Sequence, residues 1–226
     1  MLPVSQSQLT FTSGGKPIRL DCFLPSGTSQ RFPAILALHG SGGDFAGMCE
    51  PAGQLAAQGF AVYVLRYFDR TGTTDANDRS VIFRHFFVWA KTLWDATGFV
   101  AGQPEVDPER IGLLGFSLGA YLALSNAAVD SRIQAVVEFF GGLPKEVKLI
   151  MRRLCPVLIL HGDADSTVPV AEAYSLQKVL ESRKLPYEMQ IYPGVGHRFS
   201  GDAWRDAGLR TVAFFQKYLA DQHANG

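Results

Sequence analysis

The chain has 226 residues, of which 47% are hydrophobic, and its 21 basic residues balance 21 acidic ones. This length suits one large hydrophobic core, so we expect a single domain over residues 1–226. A charged fraction of 19% with 12% aromatic residues is too apolar for a disordered chain. Because a net charge of zero gives no general attraction to polyanions, we expect no nucleic-acid and no membrane partner.

The sequence also argues against a membrane-spanning or secreted protein. No apolar run approaches the roughly 20 residues that cross a bilayer, and the N-terminal segment MLPVSQSQLTFTSGG has neither a basic start nor an uninterrupted apolar stretch. The cysteines Cys22, Cys49 and Cys155 are far apart and form no CxxC pair, which is typical of a reducing compartment. We expect a soluble, cytoplasmic protein that needs no metal and no other cofactor.

In chain order, the apolar patterns predict a β-hairpin and then strands that alternate with helices. Residues 7–12 and 16–23 flank Gly14 and Gly15, and the second segment alternates apolar and charged residues like a half-buried strand. Further strands are predicted at residues 34–38, 60–66, 110–114, 133–139, 156–160 and 187–192. Helices are predicted near residues 50–58, at 80–96, from 117 onward, at 169–184 and at 202–219.

This alternation is typical of a mostly parallel sheet that is covered by helices on both faces. The last predicted helix carries an apolar stripe that includes Trp204, Thr211 and Phe215, which we expect to pack into the core. Residues 141–155 are too few to build a separate cap domain. We therefore expect loops alone to close any pocket above the sheet.

One segment combines a strand, a turn and a helix around the motif Gly115-Phe-Ser117-Leu-Gly119. In such a turn the residues two before and two after the serine must be small, because the backbone is strained and neighbouring elements crowd it. The start of the following helix directs amide groups toward a developing oxyanion. We predict that Ser117 is a nucleophile, the alternative being a serine that only caps the helix.

An activated serine needs a base and an orienting carboxylate, and candidates for both follow in the order of an α/β-hydrolase. Asp163 and Asp165 lie after the strand at 156–160, and His197 lies after the strand at 187–192. Doubly wound sheets place their sites at this edge, beyond the carboxyl ends of the strands. We predict His197 as the base, because the other histidines lie where structural roles are commoner: His39, His85, His161 and His223.

These motifs resemble those of the dienelactone hydrolase family within the α/β-hydrolase fold. The similarity runs from LALHGSGGD through YVLRYFDRTGT, GLLGFSLGA and HGDADSTVP to YPGVGHRF. The resemblance implies a triad of nucleophile, Asp and His, and the family pattern HGxxDxxVP falls on Asp165 rather than on Asp163. We expect Asp163 to shape its loop by capping local amides.

The sequence departs from the family pattern at the nucleophile. Typical dienelactone hydrolases use a cysteine, aided by a glutamate near the loop after the first long parallel strand, whereas this chain has Ser117 and no glutamate in residues 35–43. A serine cannot be stored as an anion as a thiolate can, so it needs the His197 base throughout. We therefore expect a serine esterase rather than a true dienelactone hydrolase.

The expected mechanism is acyl transfer. His197 takes the proton of Ser117 as the serine attacks an ester carbonyl, and Asp165 stabilises the imidazolium that forms. Two backbone amides are expected to hold the oxyanion, those of Leu118 and Ser41. The glycines of the HGSGG loop allow an amide to turn inward at Ser41.

Several residues at the same sheet edge are candidates for binding the substrate. An arginine there would hold a carboxylate bidentately, as the preference of the family for acidic lactones implies. Arg66, Arg70 and Arg198 lie at this edge, and we predict Arg66 for the role in preference to Arg70. The alternative for Arg66 and Arg70 is pairing with Asp69. Aromatic side chains predicted to wall the pocket are Phe68, Phe140 and Phe199.

Three functions stay open at this point. The leading one is a hydrolase of carboxylic esters with small to medium acyl or alcohol groups, for which the partner is a small-molecule ester. The second is a dienelactone or lactone hydrolase, or a peptidase of the oligopeptidase type, which usually carries an additional propeller domain. The third is a non-catalytic hydrolase-like binding protein, which normally lacks a member of the triad.

Overall fold

Eight strands and six helices make up the computed structural model, which describes residues 1–27, 30–151 and 153–219. The strands are β1 (Val4–Ser13), β2 (Lys16–Pro25), β3 (Phe32–Leu38), β4 (Ala61–Leu65), β5 (Val106–Phe116), β6 (Ile133–Phe139), β7 (Val157–Gly162) and β8 (Tyr187–Tyr192). The helices are α1 (Cys49–Ala56), α2 (Arg79–Ala101), α3 (Leu118–Ala127), α4 (Lys145–Ile150), α5 (Ala171–Ser182) and α6 (Gly201–Tyr218).

The strands form one sheet in the order β1-β2-β4-β3-β5-β6-β7-β8. Strands β3 to β8 pair in parallel, whereas the β1–β2 hairpin joins the edge of β4 in antiparallel pairing. The predicted α/β-hydrolase architecture is therefore confirmed, with every predicted strand and helix present. Only α4 was not predicted, because its six residues are too few to show a helical period. Within the described ranges, no helix is long and apolar enough to cross a membrane.

Each face of the sheet buries its own hydrophobic cluster. Along β3, Leu36 and Leu38 belong to the cluster under α2, α3 and α5, while Ile35 and Ala37 belong to the cluster under α1 and α6. A strand buried on both faces needs apolar side chains at successive positions rather than at alternate ones. This two-sided burial explains the continuous apolar runs of the central strands.

Helix α3 approaches the sheet unusually closely at two glycines. A Cβ atom on Gly115 would lie under 3.0 Å from the carbonyl oxygen of Gly119, and a Cβ atom on Gly119 would lie under 3.0 Å from that of Leu38. Backbone atoms cannot yield as the end of a flexible side chain can, so both positions require glycine. The helix consequently begins directly at the carboxyl ends of β3 and β5.

We predict that Gly119→Ala lowers the free energy of unfolding by about 1–3 kcal/mol or more, because the added methyl group overlaps two backbone carbonyls. The matched control is Gly208→Ala in α6, where an added Cβ atom meets nothing within 4 Å. Since alanine favours a helix over glycine, the control should raise the free energy of unfolding by up to about 1 kcal/mol. Urea titration of both variants measures the two changes, and a Gly119→Ala protein as stable as wild type would contradict the close approach.

Candidate active site

Ser117 occupies the turn between β5 and α3 in a strained conformation. Its φ of 53° and ψ of −116° lie in a region that non-glycine residues rarely adopt, at a cost of about 1–3 kcal/mol. The surrounding backbone holds this conformation: the N–H of Ser117 donates to the carbonyl of Phe139 at 3.0 Å, and its carbonyl accepts from the amide of Ala120 at 2.9 Å. The strained turn presents the side chain of Ser117 to a cleft at the edge of the sheet.

The structure brings Ser117, His197 and Asp165 into hydrogen-bond contact. Oγ of Ser117 lies 3.0 Å from Nε2 of His197, and Nδ1 of His197 lies 2.7 Å from Oδ2 of Asp165. In this arrangement the imidazole can take the hydroxyl proton while the carboxylate orients Nδ1–H. The three side chains that the sequence singled out therefore have the geometry that such a relay requires.

The carboxylate of Asp165 is buried but well supplied with donors. Its side chain is fully shielded from solvent, and its Oδ1 accepts the amides of Thr167 at 2.8 Å and Val168 at 2.9 Å. These amides replace the water lost on burial, which would otherwise make the buried carboxylate costly. Oδ2 is left to face His197.

The two candidate carboxylates have different neighbours. Oδ1 of Asp163 accepts the amide of Gly194 at 2.6 Å and so ties the loop after β7 to the loop that carries His197. Asp165, in contrast, reaches the imidazole directly. The geometry thus gives Asp163 the loop-shaping position that was expected for it.

The two residues predicted to hold the oxyanion, Ser41 and Leu118, stand on segments next to the nucleophile. A Cβ atom on Gly40 would be 3.4 Å from Cβ of Ser117, so the loop passes close to the serine. The carbonyl of Ser41 accepts the amide of Ala76 at 2.7 Å, which fixes this loop. Neither the Ser41 amide nor the Leu118 amide, at the first position of α3, donates to a backbone carbonyl of the residues described here.

The cleft has a volume of about 710 Å³ and a mixed lining. Of the residues predicted to wall it, Phe140 and Phe199 do line it, with ring centroids 5.3 Å apart. The Phe140 ring also lies 4.7 Å from that of His197, and its backbone is left-handed at a φ of 43°. Other residues that line the cleft are Asp44, Met48, Asn77, Thr167, Arg198 and Trp204.

The structure does not bring Arg66, the arginine predicted to bind the substrate, into the lining of the cleft. Its guanidinium forms a two-pronged ion pair with Asp21 of β2 at 2.7 and 2.9 Å, and it stacks on the Phe45 ring at 3.8 Å. The expected alternative partner, Asp69, pairs with Arg19 instead. The sequence could not reveal these pairings, because each joins the hairpin to a loop some 45 to 50 residues later.

Phe68, which was predicted to wall the pocket, is likewise not among the residues that line the cleft. The side chain is 5% exposed and packs against the rings of His39 and Trp89, with both centroid distances 4.7 Å. The 3₁₀ turn Tyr67–Arg70 directs it inward. Phe68 therefore supports the loop below the cleft rather than the substrate.

The other histidines have the structural positions that were expected. His39 donates from Nδ1 to the carbonyl of Gly40 at 2.8 Å, and burial lowers the pKa of its ring to about 4. Nε2 of His161 donates to the carbonyl of Val168 at 2.9 Å. His85 lies within α2, and His223 lies outside the described residues.

Sequence reasoning missed the role of Trp204. It was expected to pack into the core, but it lines the cleft and is 36% exposed. The first turn of α6 brings it there, because the helix begins at Gly201, four residues after His197. The sequence held one indication of this position, which is that Trp204 follows the predicted base His197 closely along the chain.

Comparison with known proteins places the chain in a family. The sequence profile of the dienelactone hydrolase family matches residues 20–219. The chain belongs to the dienelactone hydrolase family. Among individual relatives of this family member, the carboxymethylenebutenolidase of Rhodococcus opacus is 28% identical over 194 residues, which are 77% of each chain.

Two further similarities are narrower. Acyl-coenzyme A thioesterase 5 of Mus musculus is 36% identical over 125 residues, or 55% of this chain and 27% of that protein. The chain spans less than half the length of the first curated relatives it matches. A dienelactone hydrolase-like promiscuous phosphotriesterase from metagenomic libraries superposes with a TM-score of 0.83 at 20% identity, covering 95% of this chain and 98% of that one. At that identity the superposition shows the fold alone.

We predict that Asp165→Asn lowers kcat by roughly four orders of magnitude, because an amide can neither stabilise imidazolium nor fix the tautomer of His197. The matched control is Asp163→Asn, which keeps the shape of a carboxylate that only accepts a backbone amide. The control should lose far less activity on an ester that the wild-type protein cleaves. Equal losses at matched stability, or the reverse order, would overturn the assignment of Asp165.

Proposed function

We propose that this family member is a serine esterase that cleaves carboxylic esters of small to medium acyl or alcohol groups through an acyl-enzyme. The observation that carries the proposal is the 3.0 Å separation of Ser117 Oγ from His197 Nε2, with Asp165 2.7 Å behind the imidazole. A serine hydroxyl is a weak nucleophile until a base in hydrogen-bond reach takes its proton. This geometry supplies that base.

The reaction proceeds in two halves. Ser117 Oγ bonds to the ester carbonyl carbon as its proton passes to His197, and the amides of Ser41 and Leu118 donate to the resulting oxyanion. The imidazolium then protonates the leaving alcohol oxygen as the ester C–O bond breaks, which leaves an acyl group on Ser117. Water, deprotonated by His197, attacks this acyl group, and the serine regains its proton when the acid departs.

The serine nucleophile favours ester cleavage over dienelactone turnover as the proposed activity. No glutamate lies in residues 35–43, where the cysteine-dependent members of the family have one. The first acidic residue after this stretch in the sequence, Asp44, is exposed, and its side chain accepts the amide of Gly47 at 2.9 Å. Activation of Ser117 therefore rests on His197.

Lactones and peptides are the alternative substrates for the same site. Cleavage of a peptide bond expels an amine, which is a poorer leaving group than an alcohol and depends more on protonation by His197. A panel of p-nitrophenyl esters of rising chain length, run beside a dienelactone and an aminoacyl anilide, ranks these activities. Faster turnover of the dienelactone or the anilide than of every ester would replace the proposal by that alternative.

We predict that a fluorophosphonate labels Ser117 and that Ser117→Ala abolishes both labelling and ester turnover. The reagent forms a covalent bond only with a hydroxyl that a neighbouring base activates. The control is Ser131→Ala, which removes an exposed serine outside the cleft and should be labelled like wild type. Mass spectrometry of the labelled peptide identifies the site, and stoichiometric labelling elsewhere would sink the proposal.

The structure also bears on which arginine recognises a charged substrate. Arg66 is neutralised by Asp21, whereas Arg198 lines the cleft beside His197. Arg198 forms no ion pair with any residue in the described part of the chain. We infer that Arg198 binds substrates that carry a carboxylate at the end of the acyl group, in the role first expected of Arg66.

We predict that Arg198→Gln lowers kcat/KM roughly tenfold for an ester with a terminal carboxylate, because a charge-assisted hydrogen bond is lost. Turnover of the uncharged ester of the same length should change by no more than about twofold, since it never formed that bond. Arg205→Gln is the control, because Arg205 pairs with Asp202 on the exposed face of α6. Equal losses on both esters would remove Arg198 from substrate recognition.

The thiols bear on where the proposed enzyme works. Cys22, Cys49 and Cys155 are all free, and burial raises the pKa of the Cys22 and Cys155 thiols to about 12. Free thiols are typical of proteins from a reducing compartment. We propose a cytoplasmic location on this ground.

A further inference from the structure

Two buried polar atoms next to the site have no partner. Oε1 of Glu138 and Nδ1 of His161 form no hydrogen bond with any of the residues that the structure describes. Both side chains are 0% exposed. Because buried polar groups nearly always hydrogen-bond, each of these atoms calls for a partner.

The sheet places the two side chains side by side. The parallel register pairs Glu138 of β6 with Ile159 of β7, and His161 lies two residues further along β7. Val136 and Ile159 belong to the cluster under α3 and α5, so Glu138 and His161, each two residues further on, face the same way. Paired strands lie about 4.8 Å apart and rise about 3.3 Å per residue, so residues on neighbouring parallel strands that are two positions out of register lie about 8 Å apart at the backbone. Two long side chains with one water between them can span this distance.

The protonation of His161 makes its free nitrogen an acceptor. Nε2 lies 2.9 Å from the carbonyl of Val168, and since a carbonyl can only accept, Nε2 carries a proton. Burial lowers the pKa of His161, which keeps the ring neutral. Nδ1 therefore has a lone pair and no proton.

The protonation of Glu138 makes its free oxygen a donor. Oε2 accepts the amide of Gly141 at 2.7 Å. Burial raises the pKa of Glu138 to about 8, so the carboxyl group keeps a proton at neutral pH, and this proton belongs on Oε1. Glu138 thus carries a free donor and His161 a free acceptor on neighbouring strands.

We propose that Glu138 and His161 form a buried positioning pair, in which Oε1–H of Glu138 is linked to Nδ1 of His161 through one enclosed water molecule. The proposal rests on the proposed esterase function, because what the pair positions is the relay of Ser117, His197 and Asp165. Neither residue touches the substrate.

The Glu138 end of the pair fixes the wall of the site. The Gly141 amide that it accepts follows Phe140, whose backbone is held in the left-handed region at a φ of 43°. The Phe140 ring lies 4.7 Å from the ring of His197. Glu138 therefore determines where the imidazole meets its apolar neighbour.

The His161 end fixes the acid. Its bond to the Val168 carbonyl closes the turn whose amides hold Oδ1 of Asp165, and Nε2 of His161 lies 3.5 Å from Oδ2 of the same carboxylate. A link between Glu138 and His161 joins the loop after β6 to the loop after β7. The two loops that hold His197 in place then move as one unit.

Other ionisable groups surround this layer and stay in place in the variants described below. Burial raises the pKa of Tyr121 on α3, with further contributions from Glu172 of α5, Glu138 and Asp165, while Arg79 of α2 opposes the shift. His197 faces His161 from the loop after β8. A difference between variants that change only Glu138 therefore isolates that residue.

Glu138→Gln and Glu138→Leu test the pair in opposite ways. The glutamine keeps one donor and one acceptor of the same shape but cannot ionise, so it should retain kcat within about threefold of wild type near neutral pH. The leucine removes both bonds and leaves Nδ1 of His161 unpaired, so it should lower kcat roughly tenfold or more, with little change in KM. Thermal unfolding shows at which temperature each variant is folded for the assay.

The pH profile distinguishes positioning from a merely structural role. In the wild-type protein kcat should fall as the pH rises through about 8, because ionised Glu138 no longer donates. Glu138→Gln should lack this alkaline fall. The melting temperature of Glu138→Gln should also rise relative to that of wild type as the pH increases to about 8. In this range Glu138 ionises in the unfolded wild-type chain but stays protonated in the folded one, so only the wild-type protein loses stability. Identical alkaline limbs, or wild-type kcat in folded Glu138→Leu, would overturn the proposal.

A spectroscopic measurement tests the link without turnover. In protein labelled with ¹⁵N-histidine, Nδ1 of His161 should resonate as a hydrogen-bonded acceptor in wild type and in Glu138→Gln. It should shift toward the position of an unbonded nitrogen in Glu138→Leu, and an unchanged resonance would contradict the pair. If the wild-type protein cleaves no ester, the esterase proposal fails while this spectrum still decides whether Glu138 and His161 are linked.

Discussion

The close approach of α3 to the sheet is the constraint on which the site depends. Gly115 and Gly119 let the helix begin within backbone contact of β3 and β5, and Ser117 lies between them in a strained turn. Any side chain at either glycine would push the helix outward and relax the turn. The position of the serine hydroxyl, and with it the 3.0 Å contact to His197, thus follows from how two backbones pack.

The two buried carboxyl groups beside the cleft differ in their hydrogen-bond partners. Asp165 receives two backbone amides and the imidazole of His197, so its charge is met by donors on both oxygens. Among the residues that the structure describes, Glu138 receives only the Gly141 amide, and burial raises its pKa to about 8. Two buried carboxyl groups, one after β7 and one on β6, therefore differ. The one that orients His197 accepts hydrogen bonds on both oxygens, and the other carries a proton at neutral pH.

The sequence was sufficient for the architecture and for the three side chains that meet as Ser117, His197 and Asp165, because both leave local marks. Continuous apolar runs follow from two-sided burial, and Ser117, Asp165 and His197 each stand in a motif after a strand. The positions of Arg66 and Phe68 could not be read from the sequence, because the partners of both side chains come from distant segments. These are the hairpin in one case and the middle of α2 together with His39 in the other. Trp204 was expected in the core because it belongs to an apolar stripe, and such a stripe does not show that the first turn of the helix lies beside the cleft.

The segment between β6 and β7 has a consequence for the chemistry that the site can support. Helix α4 in this segment has six residues and leaves Leu149 and Ile150 exposed, and none of the described residues in 143–155 lines the cleft. The described part of this segment would therefore not separate an acyl group on Ser117 from small nucleophiles in solution. Under the proposed mechanism, the partition of the acyl group between water and an added alcohol would then be set by their concentrations and nucleophilicities.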